Sequence, residues 1–179
     1  MKNLNPLVWQ HGLMAAAMMI VIALVGYLMG PSVMVSVPMS VGTGGVVFAA
    51  MFLSGFAIRK DEGGYIAYKR ALGHILAVTA IAIFASGLFN IVLYNYIASP
   101  EFMESMIRLV QEKTVESMSS FGAPQSMIRE IEATLEEELR KGFSVAGLLQ
   151  GLLWNMLMWA IPALIVALVV RRHSDVDFA

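Results

Sequence analysis

The chain contains no cysteine. That excludes disulfides, thiolate metal centres and cysteine nucleophiles, and it leaves the redox compartment unmarked. Charge is scarce as well: 14% of the 179 residues are Asp, Glu, Lys or Arg, against about 25% in soluble domains. The net charge of -1 does not supply the clustered basic face that nucleic acid requires. No phosphate-binding glycine loop, metalloprotease helix motif or Gly-x-Ser-x-Gly elbow occurs. The expectation is therefore a protein that is not an enzyme, with no catalytic residues, no cofactor, no bound metal and no nucleic-acid partner.

What remains is apolar, at 58% of residues. A bilayer span needs roughly 20 mostly apolar residues, and four segments qualify, at about 8–29, 34–58, 71–97 and 143–170. None holds a Lys, Arg, Asp or Glu. Proton relays and ion-coupled carriers usually keep such a group in the membrane, so its absence counts against a pump. A channel lined by backbone or amide groups stays open. The first segment is too long for a signal-peptide core and lacks a small-x-small cleavage site after it, so it reads as a retained span. The partner implied by all four is the lipid bilayer.

Basic residues set the direction. Lys2, the loop "RKDEGGYIAYKR" and the tail "RRHSDVDFA" place Lys2, Arg59, Lys60, Lys69, Arg70, Arg171 and Arg172 on one side. Short loops rich in Lys and Arg stay in the cytoplasm. Both termini are then cytoplasmic, and residues 98–142 lie outside. Tyr27, Tyr94 and Tyr96 fall at the outer interface, and Trp9, Tyr65 and Tyr68 at the inner one, where aromatic belts form.

Residues 98–142 read as two helices. In "SPEF", Ser99 caps, Pro100 takes the first helical position and Glu101 meets the positive end of the dipole. Met103, Met106, Ile107, Val110, Thr114, Met118 and Phe121 make one apolar stripe, and Ile128, Ile131, Leu135 and Leu139 make a second. Gly122 ends the first helix and Pro124 opens the next. With nine Glu against five Lys or Arg, the pair suits an extracytoplasmic amphipathic hairpin and not a basic lipid-binding helix. The stripes either pack on each other or the lipid interface, or dock a partner through Ile107, Val110, Ile131 and Leu135.

Neutral polar residues mark the spans. Thr79, Ala82, Ser86 and Asn90 share a face of the third, and Ser144, Gly147, Gly151, Asn155 and Pro162 share one of the fourth. An unpaired amide in hydrocarbon costs several kcal/mol, so Asn90, Gln150 and Asn155 are candidate intramembrane contacts. Counting about 1.5 Å per residue pairs Asn90 with Gln150 in depth and sets Asn155 about a turn below. These groups act as interhelical glue or line a site for a small ligand. Trp154 and Trp159 read as core filling. His11, His74 and His173 all fall on the cytoplasmic side, without metal-ligand spacing.

The stretch "GGYIAYKRALGHILAVTAIAIFASGLFNIVLYNYIASPEFMES", followed by an acidic helical insert and a last span ending in "VVRR", resembles a bacterial membrane protein family catalogued as domain of unknown function number 4199. The resemblance covers nearly the whole chain. It implies four spans with an outer insert between the third and fourth, and a Gram-negative inner membrane with the insert in the periplasm. It implies no activity, catalytic residue or cofactor.

The expected fold is an all-α integral membrane four-helix bundle with a helical hairpin inserted between transmembrane helices 3 and 4. The expected function is a non-enzymatic interaction or assembly protein that uses the periplasmic hairpin, with a protein partner or a second copy of itself. The alternative is a transporter or channel for a small molecule, ion or lipid, with a polar site between spans 3 and 4. A reporter fused after Ala179 is expected to be cytoplasmic and one inserted at Gly122 extracytoplasmic; the opposite labelling would invert the topology.

Overall fold

The structure, a computed structural model, describes residues 5–172. Four helices are long and apolar enough to cross a membrane: α1 (Pro6–Met29), α3 (Val37–Asp61), α4 (Tyr68–Val92, continued by a π-helical turn over Leu93–Ile97) and α7 (Val145–Val170). A short α2 (Pro31–Met34) joins α1 to α3, and α5 (Pro100–Ser120) and α6 (Gln125–Phe143) stand between the third and fourth spans. Proline occupies one of the first two positions of α1, α2, α3 and α5, where its missing N–H costs nothing. The Asn5, Ser99 and Ser144 side chains accept from Leu7, Phe102 and Gly147 backbone N–H, the capping bonds that free helix N-termini need.

The second span begins at Val37 and not near residue 34. Gly30, at φ 104, turns the chain out of α1, Pro31 starts the separate turn of α2, and Ser36 in extended conformation resets the direction. The π turn has a similarly local origin. Asn95 Nδ2 donates to Ile91 O at 3.1 Å, taking the carbonyl that the backbone would use. Ala98 N instead reaches Leu93 O at 2.8 Å, and Pro100 prevents the helix from continuing.

Helix α4 packs against α1, α3 and α7, and α3 also touches α1 and α7. The core lies toward one end of the bundle: Val8 of α1, Met51 and Ile58 of α3, Ile75 and Val78 of α4, Val166 and Val170 of α7. That end is stitched by polar contacts. Ile66 and Arg172 exchange backbone hydrogen bonds of 3.1 and 3.2 Å, Arg59 Nη1 donates to Val170 O at 3.3 Å, and Arg70 pairs with Glu62 at 2.7 Å. Asn5 Nδ2 donates to Asp61 Oδ2 at 2.9 Å. Gly63 and Gly64, at φ 80 and 94, make the reversal that delivers Ile66 into the core. The Gly-Gly-Tyr-Ile sequence therefore has a mechanical reason.

At the other end, α5 and α6 lie against each other, with Gln111 Nε2 donating to Glu132 O at 3.4 Å. Gly122 at φ 76 closes α5, with Gly122 N bonded to Ser119 O and Ala123 N to Met118 O, each at 3.0 Å, the pattern of a Schellman motif. Glu136–Arg140 and Glu137–Lys141 pair along exposed α6 at 3.0 and 2.7 Å; such pairs contribute little.

Close helix contact depends on missing side chains. A Cβ on Gly12 would sit 2.8 Å from Ile81 Cβ, and one on Gly55 would sit 2.8 Å from Val170 Cγ2. By contrast, Gly45 faces open space. Gly12→Val is expected to lower stability by about 1–3 kcal/mol through overpacking, and Gly45→Ala to change it by less than about 0.5 kcal/mol. Unfolding in mild detergent measures both; equal effects would mean that α1 and α4 do not meet at Gly12.

Candidate functional site

Away from the core, the bundle opens. A cavity of about 320 Å³ lies among α1, α2, α3, α4, the π turn and α7. Its apolar wall includes Met19, Ile22, Met34, Met39 and Trp159, and its polar wall Ser40, Thr43, Ser86, Asn90, Tyr94 and Asn155. None of the lining side chains is charged.

Most buried polar groups in the spans are satisfied by their own helix. Ser54 donates to Met51 O at 3.2 Å, Thr79 to Ile75 O at 2.8 Å and Ser86 to Ala82 O at 2.7 Å. Thr43, in the cavity wall, donates to Met39 O at 3.0 Å. These hydroxyl protons are committed, while their oxygens keep free lone pairs. Asn90 is the exception: its Oδ1 is buried and has no hydrogen-bond partner. A buried unmade hydrogen bond costs about 1–3 kcal/mol, which sets this oxygen apart from the other polar groups of the wall.

Asn90 and Asn155 both line this cavity and Gln150 does not, although Asn155 and Gln150 are both exposed. The depth match of Asn90 with Gln150 fails for a rotational reason. The buried side of α7 runs through Leu152, Ala163, Val166 and Val170, with Trp159 half-buried beside it and Asn155 at its exposed edge. Gln150 lies two residues from Leu152, about 200° around a helix of 3.6 residues per turn. The Gly147 and Gly151 side is likewise not the packed one: Gly151 is exposed, and Gly147 abuts the carbonyls of Lys141 and Gly142. Of the two tryptophans expected in the core, Trp159 packs edge-on to Phe48 with ring centroids 5.1 Å apart. Trp154, one residue from Asn155, is 61% exposed and faces away from the bundle.

Sequence reading missed Met19, Met34, Met39, Ser40, Thr43, Tyr94 and Trp159 as one wall. The available signal was the Ser40–Thr43 spacing just inside a span, at the same end of the bundle as Asn90.

On the stripes, Ile107 is buried, and Val110, Ile131 and Leu135 are half-buried. They are largely consumed by packing: α5 touches α2 and α6, and Met106 and Ile128 are buried with them. A charged cleft of about 470 Å³ between α5 and α6 is lined by Glu101, Glu104, Arg108, Glu136 and Arg140. Glu101 is held below the usual carboxylate range by its own backbone N–H and the Ser99 hydroxyl. These exposed groups are served by one another and by water.

His11 and His74 are engaged separately. His11 Nδ1 lies 2.8 Å from Leu7 O, and His74 Nε2 lies 4.0 Å from Glu62 Oε1. His173 is outside the described residues, and among the described residues no cluster of three His, Asp or Glu is placed to hold a metal ion.

No curated protein and no solved structure matches the chain. Residues 10–172 match a family model described as protein of unknown function, DUF4199. That match covers nearly all of the four long apolar helices together with the cavity among them and the α5–α6 pair, and the chain belongs to the DUF4199 family.

Proposed function

We propose that the chain is a non-enzymatic membrane protein that holds a small, neutral, hydrogen-bonding molecule inside the bundle, beneath the α5–α6 pair. The observation that carries this reading is Asn90 Oδ1, buried without a partner at a cavity shared with Asn155. The volume, about 320 Å³, falls at the small end of ligand sites. With no charge in the wall, a fully charged ligand would lack a counter-ion in a medium where that is costly. Ser86 and Thr43 present oxygens whose protons are already used, so the fitting ligand brings donors, as a hydroxyl or amide N–H does.

This favours the small-molecule reading over partner docking by the helix pair, because Ile107, Val110, Ile131 and Leu135 are largely turned inward. The stripes then serve a self-packed cap. Arg59, Lys60, Lys69, Arg70, Arg171 and Arg172 stand at the opposite end of the bundle. By the same charge rule, the cap is extracytoplasmic. A bacterial inner membrane is the location that fits the family resemblance.

The test is native mass spectrometry of protein extracted from its own membranes. Wild type and Met156→Leu are expected to carry a bound small molecule, and Asn90→Leu to lose it by about 10-fold, as one lost hydrogen bond of about 1–2 kcal/mol implies. Stability separates this role from glue. Removing a buried amide oxygen that has no partner should leave the empty bundle as stable or more so, whereas losing an interhelical bond would weaken it. Identical spectra for all three proteins, or a destabilised Asn90→Leu, would contradict the proposal.

A further inference from the structure

Helix α5 reaches past the bundle that it covers. Two contacts fix its course. Phe102, near its start, packs on Tyr27 with ring centroids 4.8 Å apart, close to the end of α1 at Met29. Lys113 Nζ donates to Val35 O at 3.0 Å, just before α3 begins at Val37. Both anchor points belong to the same end of the bundle. They are separated by roughly 16 Å along α5, at about 1.5 Å per residue. A helix tied at both lies across the bundle end, along the plane of a bilayer surface. It then runs on for roughly 12 Å past Lys113 to Phe121.

Phe121 is 91% exposed, more than any other large apolar side chain among the described residues. It shares an open recess of about 390 Å³ with Val35, Val110, Lys113, Thr114, Ser117 and Met118; the Lys113 ammonium there is engaged by Val35 O. Val35 belongs to the α1–α3 connection, so the recess is on the side of α5 that faces the bundle and, beyond its edge, the bilayer. At the same end of the bundle, Leu28 and Met29 of α1 and Val37 and Val41 of α3 are exposed, side chains that a spanning helix presents to lipid.

Composition points the same way independently. Residues 117–128, "SMSSFGAPQSMI", carry no charge, while the rest of the 98–142 insert holds nine Glu and five Lys or Arg. The backbone at the tip is ordered by the Gly122 closure, so Phe121 is presented from a fixed turn.

The geometry points to the α5–α6 turn as an interfacial membrane contact. Phe121, with Met118 and exposed Met127, seats in the headgroup–acyl boundary beside the bundle, and lipid fills the recess beneath it. The contact ties the outer end of the cap to the bilayer, while Tyr27 and Val35 tie its inner part to the spans. It depends on no occupant of the cavity.

The absence of native cysteine makes single-site spin labelling clean. The full chain, labelled as Phe121→Cys in phosphatidylethanolamine–phosphatidylglycerol vesicles, is probed for collisions with lipid-soluble oxygen and a water-soluble nickel chelate. The oxygen-to-nickel ratio at 121 is expected to match that at Leu28→Cys and to exceed that at Glu130→Cys several-fold. A second label at Met127→Cys, with Phe121 intact, should also read as interfacial and should shift toward water when Phe121→Asp is added. A ratio at 121 equal to that at 130 overturns the proposal. Poor access to both reagents also overturns it, because protein and not lipid would then cover the tip.

Discussion

The interior of a bilayer offers no water to a polar group, so every polar atom carried into it must find its partner within the protein. The arrangement of this chain follows from that constraint. Its described basic groups at one end of the bundle cluster where α3 meets α4 and where α7 ends, and the backbone there is stitched by the Ile66–Arg172 pair and the Arg59–Val170 bond. Within the spans, Ser54, Thr79 and Ser86 turn their protons onto carbonyls one helical turn back. Against that economy Asn90 stands out, because the same constraint leaves its oxygen with nothing from the chain.

Packing divides the bundle along its length. Toward the end of the α3–α4 loop, small residues let the helices close on Met51, Ile58, Ile75 and Val166. Toward the other end, the broken connection through α2 and the π turn spread the helices, and methionines line the gap. Thioether side chains adapt to an irregular or changing occupant. The α5–α6 pair covers this half. Phe102 on Tyr27, Lys113 on Val35 O, and Asn95 on Phe143 O join it to the spans.

The four spans were legible because length and absence of charge are one-dimensional signals, and the Ser99 and Gly122 helix boundaries because capping is local chemistry. The cavity was legible only in part. Asn90 and Asn155 stood out as amides in hydrocarbon, but their pairing depends on rotation about each helix axis. Depth counting mistook Gln150 for a partner although it lies across α7 from Leu152. Trp154 was misread for the same reason, since it too lies two residues from buried Leu152. The π turn and α2 leave almost no pattern beyond Asn95, Gly30 and Pro31, yet they help open the space. The charged helix pair advertised two apolar stripes, and periodicity alone cannot say whether a stripe meets a partner or its own chain.

The most direct measurement is a crystal structure of the protein grown from a lipidic mesophase, examined at Asn90. The account predicts density larger than a water molecule in the cavity, with a donor atom within hydrogen-bond distance of Asn90 Oδ1. A collapsed cavity, or an Asn90 side chain turned to bond a neighbouring helix, would contradict it.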